Sequence, residues 1–442
     1  MNIQLSDHFT YKKLLRFTLP SVAMMVFTSI YGVVDGFFVS NYVGKIPFAA
    51  VNFIMPFLMI LGAFGFMFGT GGSALISKTM GEGKREKANS LFTMLTLISF
   101  ILGVVIAVLG ILFIRPIASF LGAEGELLEQ CVLYGRLILI ALPAFMLQQE
   151  FQSFFVTAEK PVLGFLVTLV SGLTNMILDV LFIVVLKWDV AGAAVATAIS
   201  QVVGGLFPLF YFARPNKSLL RFTRAKLDIP ALVKTCTNGS SELMSNVSMS
   251  LVSMLYNVQL MKYAQENGVA AYGVLMYVSF IFISVFIGYS IGIAPVIGYH
   301  YGAGNHSELK SLKEKSLMVI GMASVGMTVL GEVLAKPLSL IFVGYDKELL
   351  DLTHRGFLIF SLSFLFVGIA IFGSGFFTAL NNGLISALIS FLRTLVFQIG
   401  VILILPIFWE TDGIWISLVV AELMAAVVTV IFLIALRKKY QY

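Results

Sequence analysis

Polar and apolar positions do not alternate finely along this chain. Runs of about 20 or more residues carry one charge or none, and short charged stretches separate them. A helix needs about 20 apolar residues to cross a ~30 Å hydrocarbon layer. A membrane β-barrel would instead show alternating segments of ~10 residues. The pattern predicts twelve spanning helices, near 13–39, 47–77, 89–113, 128–155, 161–186, 191–213, 231–261, 269–299, 310–334, 349–378, 383–408 and 413–437. The fold class is therefore an all-α integral membrane protein with both termini on one side.

Composition agrees: 59% of residues are hydrophobic and 12% charged, against roughly 25% charged in a soluble domain. The loops on the side of the termini hold 20 Lys and Arg, and the opposite loops, Lys45 among them, hold six. Basic residues stay in the cytoplasm, which puts both termini there, in a bacterial-type inner membrane. The net charge of +6 is thus a topology signal, and no nucleic-acid partner is expected. The polar start, Met1 to Thr10, is not that of a cleavable signal peptide. Cys131 and Cys236 fall on opposite faces, too far apart for a disulfide.

A shift of 221 residues superimposes the halves. Gly71 falls on Gly292, Gly81 on Gly302, Gly83 on Gly304, Pro116 on Pro337, Thr157-Ala158 on Thr378-Ala379 and Trp188 on Trp409. These matches sit at loops and helix ends, where chance apolar similarity is weakest. They imply two parallel six-helix lobes: residues 1–213 (helices 1–6), a cytoplasmic linker 214–229, and residues 230–442 (helices 7–12). Such repeats support alternating access.

Charges within spans are costly and functional by default. Asp35 is alone in the first span and Asp179 in the fifth, with Asn175 one turn before it. At 1.5 Å per residue, Asp35, Asp179, Asn175 and Thr197 reach similar depth in the outer half of the first lobe. These oxygen groups suit a hard cation such as Na+, or a carboxyl pair that shares a proton. The counterpart positions near Asn257 and Gly400 carry no acid. The second lobe offers Glu242, Arg393 and Glu422 at depth as substrate or coupling candidates, together with Asn257. Arg393 either meets substrate or neutralises a glutamate. Glu150 and Glu332 lie nearer helix ends and read as interfacial. Pro20 interrupts the first span, where a missing N–H bends or weakens a helix. Met and Phe are abundant (19 and 40 residues), and some could line an adaptable cavity.

No phosphate loop appears. Gly81-Glu82-Gly83 recurs at Gly302-Ala303-Gly304 and reads as a turn. The four histidines form no metal cluster in sequence. Neither an enzyme nor a cofactor is expected, only H+ or Na+ as coupling ion.

The segment from Gly71 to Lys84, followed by Ala88, resembles the loop after the second helix of multidrug and toxic compound extrusion (MATE) transporters, of the bacterial MepA type. The resemblance covers the whole chain. It implies a monomeric antiporter in membrane lipid that exports amphipathic, cationic compounds in exchange for H+ or Na+. The alternative is a flippase for a lipid-linked oligosaccharide. It also implies that Asp35, Asn175, Asp179 and Thr197 form the coupling site, that Pro20 serves bending of the first helix, and that Glu242 matches a family glutamate. The family's aspartate on the tenth helix has no match here. Topology is tested by labelling single cysteines with an impermeant reagent on intact cells: Lys45→Cys is expected to react and Arg221→Cys to stay protected. Labelling of Arg221→Cys would invert the assignment.

Overall fold

The computed structural model describes residues 3–442; Met1, Asn2 and the Lys45 side chain lie outside the described residues. Among the described residues, nine helices are long and apolar enough to cross a bilayer, and a bent pair forms a tenth crossing. Two of the nine each contain two crossings. The helix Ile229–Gly302 has a non-helical residue, Gln265, at φ 55°. Tyr256 and Tyr272 flank it and stack with ring centroids 5.1 Å apart. Along one continuous helix those residues would stand about 24 Å apart, so the chain folds back at Gln265. The helix Gln398–Ala435 turns likewise at Glu410, and Ser417 Oγ donates to the Val401 carbonyl at 3.3 Å. The total is twelve.

The crossings are α1 Tyr11–Tyr42, α2 Lys45–Gly81, α3 Arg85–Phe120, α4 Gly125–Thr157, α5 Pro161–Asp179 and α6 Asp189–Ala213. They continue with α7 (229–264), α8 (266–302), α9 His306–Val343, α10 (347–379), α11 (383–409) and α12 (411–435). Two expectations need correction. The tenth span is broken by 49° between Ser361 and Phe364. Pro20 does not interrupt the first, because α1 runs unbroken through it. Spanning helices tolerate such prolines.

The two halves meet backbone to backbone at the end that carries the termini. A Cβ on Gly81 would overlap the Tyr299 carbonyl, and one on Gly302 would overlap the Lys78 carbonyl. These pairs exchange under the 221-residue shift, so the contact straddles a two-fold axis. Gly71 against Gly239 and Gly292 against Thr18 repeat the relation. Small residues are what let membrane helices approach this closely. The turns after α2 and α8 also match: Gly83 and Gly304 both have positive φ, at 78° and 67°.

Two straps brace this end. The polar start of the chain hides two anchors, Leu5 and Phe9, both fully buried. The Phe9 N–H donates to Glu308 at the start of α9, at 2.9 Å, and Lys315 donates to the Phe9 carbonyl at 2.6 Å. The Leu5 N–H donates to Glu159 at 2.6 Å. Burial pushes the Glu159 carboxyl up from its ordinary range, with that N–H pulling the other way. The linker before α7 lies over the start of α3 in the same manner: the Arg221 N–H donates to Asn89 and the Thr223 N–H to Thr93, each at 3.0 Å.

A side chain at Gly81 or Gly302 cannot be accommodated by a rotamer change, because the opposing atom is backbone. Gly81→Val is expected to part the halves at this end. Spin labels on Lys84→Cys and Glu314→Cys should then shift to longer distances, with a smaller shift for Gly81→Ala. An unchanged distance distribution would show that these carbonyls are not the stop.

Candidate functional site

The first half is cored by apolar side chains of α1 to α6. One cluster contains Val39, Ile54, Ile114, Leu139 and Ile183, all nearly or fully buried. Into that setting α5 projects a polar stripe. Asn175 is 2% exposed and Asp179 fully buried. The Asn175 amide donates to Thr197 Oγ1 of α6 at 3.4 Å. From α1, the Asp35 carboxyl lies against Asp179 and Asn175. The structure thus brings together Asp35, Asn175, Asp179 and Thr197 from three helices.

The pair is chemically incomplete. Asp35 Oδ1 and both Asp179 carboxyl oxygens have no hydrogen-bond donor among the described residues. Two facing carboxylates in a dry interior repel each other, and each alone carries a heavy desolvation cost. A shared proton, or a small hard cation among the carboxyl, amide and hydroxyl oxygens, removes both problems. Immediately after Asp179 the helix widens into a π-helical turn, Val180–Val185. Such turns recur at functional sites.

Two tyrosines complete the surroundings and were not singled out from sequence. Tyr31 precedes Asp35 by one turn, and Tyr134 of α4, 1% exposed, lies within electrostatic reach of both aspartates. Nothing in one sequence separates Tyr134 from the other aromatic residues of the spans.

The second half is organised differently. Arg393 of α11 donates through Nε to both Glu422 oxygens, at 3.0 and 2.8 Å, and the two side chains are 16% and 3% exposed. Arg393 therefore neutralises a glutamate. It too sits in a π-helical turn, Leu392–Phe397. Glu242 is half-buried within the field of Arg393, without an ion pair among the described residues. Asn257 is exposed and joins none of these groups. Glu150 is not interfacial as its position suggested. It is fully buried, and neither carboxyl oxygen has a partner among the described residues. The reason is that α4 packs deeply for most of its length, and Gly69 lets the α2 backbone press on the turn at Glu150. No group of three or more His, Cys, Asp or Glu among the described residues could hold a metal. Both cysteines are free.

A family model described as MatE matches twice, over residues 20–181 and 243–404. The chain belongs to the MatE family. The two matches also fall on the two copies of the internal repeat. Multidrug export protein MepA of Staphylococcus haemolyticus is 26% identical over 431 residues, covering 97% of this chain and 94% of that protein. Among solved structures, the outward-facing conformation of a multidrug resistance MATE family transporter superimposes with a TM-score of 0.94 at 23% identity, covering 100% of this chain and 98% of that one. A MATE in complex with MaL6 gives 0.93 at 23% identity, with 98% of each chain covered. This MatE chain thus shares the fold of those transporters throughout.

The Arg393–Glu422 pair has a measurable signature. Arg393→Gln strands a buried carboxylate and is expected to destabilise the protein by about 3–5 kcal/mol. Arg393→Met combined with Glu422→Met should recover most of that loss. Thermal unfolding in detergent reads both. A double variant as unstable as the single would mean that packing, not charge, is what Arg393 supplies.

Proposed function

We propose that this protein is a multidrug exporter of the cell membrane, with both termini cytoplasmic, that moves amphipathic, cationic compounds outward in exchange for H+ or Na+. Its organisation is two lobes, residues 1–213 and 230–442, joined by the linker 214–229. It catalyses no chemical step and needs no cofactor, and it acts as a monomer. The observation that carries the reading is the acid pair of half-buried Asp35 and buried Asp179, set beside Asn175 and Thr197 in a MatE chain and lacking donors for three of its oxygens among the described residues. Such a pair must take up a cation to be stable, so its loading reports on the ion gradient.

Coupling requires that ion and substrate favour different states. Loading the pair removes net negative charge beside α1. That helix also packs on α8 through Thr18 and Gly292, so a local change has a route to the contact between lobes. Pro20 lies between the two regions, and its absent N–H makes α1 easier to bend there. Glu242 and the Arg393–Glu422 pair are the candidate substrate contacts of the second lobe. The flippase alternative is disfavoured because the one arginine deep within a span, Arg393, is already committed to Glu422.

Purified protein in liposomes, given a fluorescent lipophilic cation and separate H+ and Na+ gradients, tests the reading. Asp35→Asn and Asp179→Asn are each expected to remain folded and inserted but to lose gradient-driven transport. Their substrate binding should also lose its dependence on pH or Na+. Wild-type exchange rates in both variants would remove this site from the mechanism and leave Glu242 as the coupling group.

A further inference from the structure

The strap between α6 and α7 carries free charge on its outer side. Its inner side is anchored to α3. Leu220 is fully buried, and the Phe222 ring stacks on Phe92 with centroids 4.9 Å apart. Besides the bonds from Arg221 and Thr223, Ser90 Oγ donates to the Arg224 carbonyl at 3.2 Å and accepts from the Lys226 N–H at 3.4 Å. The strap is thus held by its backbone, and the side chains of Arg221, Arg224 and Lys226 stay exposed. None of the three has an acidic partner among the described residues. Asp228 is already engaged: Lys87 lies 3.6 Å away, and the Ala231 N–H donates to it at 3.0 Å. Residues 84–94 and 214–229 contain one other acid, Glu86 at the first turn of α3.

The face of α3 beneath the strap is the face that meets lipid. Ser90, Thr93, Leu97, Ile101, Val104 and Val108 recur every three or four residues, the spacing of one helix face. The last four are exposed. Leu97 stands about 6 Å along the axis from Thr93 and about 10 Å from Ser90. An exposed apolar stripe on a spanning helix lies against hydrocarbon, so the strap crosses α3 just beyond the hydrocarbon, at the level of the headgroups. Leu227, directly after Lys226, is exposed as well, and so are Ile229 and Val233. Cations beside exposed apolar side chains suit the boundary between water and acyl chains.

The internal repeat supplies a contrast. Under the 221-residue shift Arg224 falls on Ile3 and Lys226 on Leu5, which is buried. The strap before α1 therefore has no matching cations. Basic side chains near it are largely committed within the protein: Lys13 to Asp7 at 3.1 Å, Lys315 to the Phe9 carbonyl, and Lys313 over the Tyr442 ring. Lys12, Arg16 and Lys310 stay exposed there, on α1 and α9. General retention of basic residues on one side of a membrane does not require three unpaired cations on a segment pinned across a lipid-facing stripe.

We infer that the strap at Arg221, Arg224 and Lys226 is a docking site for anionic phospholipid headgroups in the leaflet on the side of the termini. The phosphate lies among the three cations, and the acyl chains follow the stripe from Leu97 to Val108. Basic clusters at this depth attract anionic lipid. Here the strap is fixed beforehand by Asn89, Ser90 and Thr93, so binding has little backbone left to order. A soluble anion would meet the same charges but would make no use of the apolar stripe beneath them. The site is separate from the aspartate pair and holds whatever the protein carries.

The test uses the full chain in nanodiscs of phosphatidylcholine. A fluorophore is attached at Ala225→Cys, which is exposed between Arg224 and Lys226, in a background of Cys131→Ser and Cys236→Ser. The quencher is a small fraction of either phosphatidylglycerol or phosphatidylcholine carrying a nitroxide near the head of one acyl chain. Phosphatidylglycerol is expected to associate about tenfold or more tightly than phosphatidylcholine. Arg221→Gln with Arg224→Gln and Lys226→Gln should remove that preference. Lys12→Gln with Arg16→Gln and Lys310→Gln, which loses the same charge, should keep it. Arg224→Gln alone, expected to lose about fivefold, supplies the reading if the triple variant fails to fold. Equal quenching by the two lipids in the unmodified strap would overturn the site. Equal loss in both triple variants would overturn it too, by showing a response to overall charge. Displacement of the quenching lipid by millimolar glycerophosphoglycerol, which has the headgroup and no acyl chains, would replace the lipid with a soluble anion.

Discussion

Hydrocarbon offers no hydrogen bonds, and every feature of this protein answers to that fact. Backbone groups must be satisfied within each segment, which leaves helices as the available form for a chain of this pattern. Once helices are fixed, lipid gives them little hydrophobic reason to associate, so close packing has to come from shape. The glycines at positions 71, 81, 239 and 302 supply that shape by letting backbones touch. The same solvent makes any unpaired polar atom conspicuous, and the oxygens of Asp35 and Asp179 that lack partners among the described residues stand out for that reason.

The two halves spend their buried charge in opposite ways. In the second, Arg393 and Glu422 cancel each other in the resting structure. In the first, Asp35 and Asp179 have no basic partner among the described residues. One arrangement is closed and the other open to a ligand, although the backbones that hold them descend from one repeat. Asymmetry of function has been built on symmetry of fold, by side chains alone.

Much of this could be read in the sequence. Spans, repeat and family were legible because hydrophobic run length and loop glycines are local signals. Asp35, Asn175, Asp179 and Thr197 were legible because depth along a helix follows from counting residues, and the structure joins the same four. Distance from a helix end proved a poor guide for Glu150, since burial there depends on how tightly α4 is surrounded, which no single segment encodes. Tyr134 and the Arg393–Glu422 pairing escaped or stayed open for the same reason: both are set by which faces of separate helices meet.

The straps at the end carrying the termini are crossed. The segment before α1 covers the start of α9 in the second half, and the segment before α7 covers the start of α3 in the first. Each half thus lends its leading arm to the other. Two separate six-helix chains related by a two-fold axis would make the same contacts by exchanging arms, which is the geometry of a domain-swapped dimer. The stretch from Arg214 to Leu220 need only connect α6 to an arm that Arg221 and Thr223 already hold on α3. The single chain therefore preserves the plan of a symmetric homodimer, and fusion of its genes would have required no new interface.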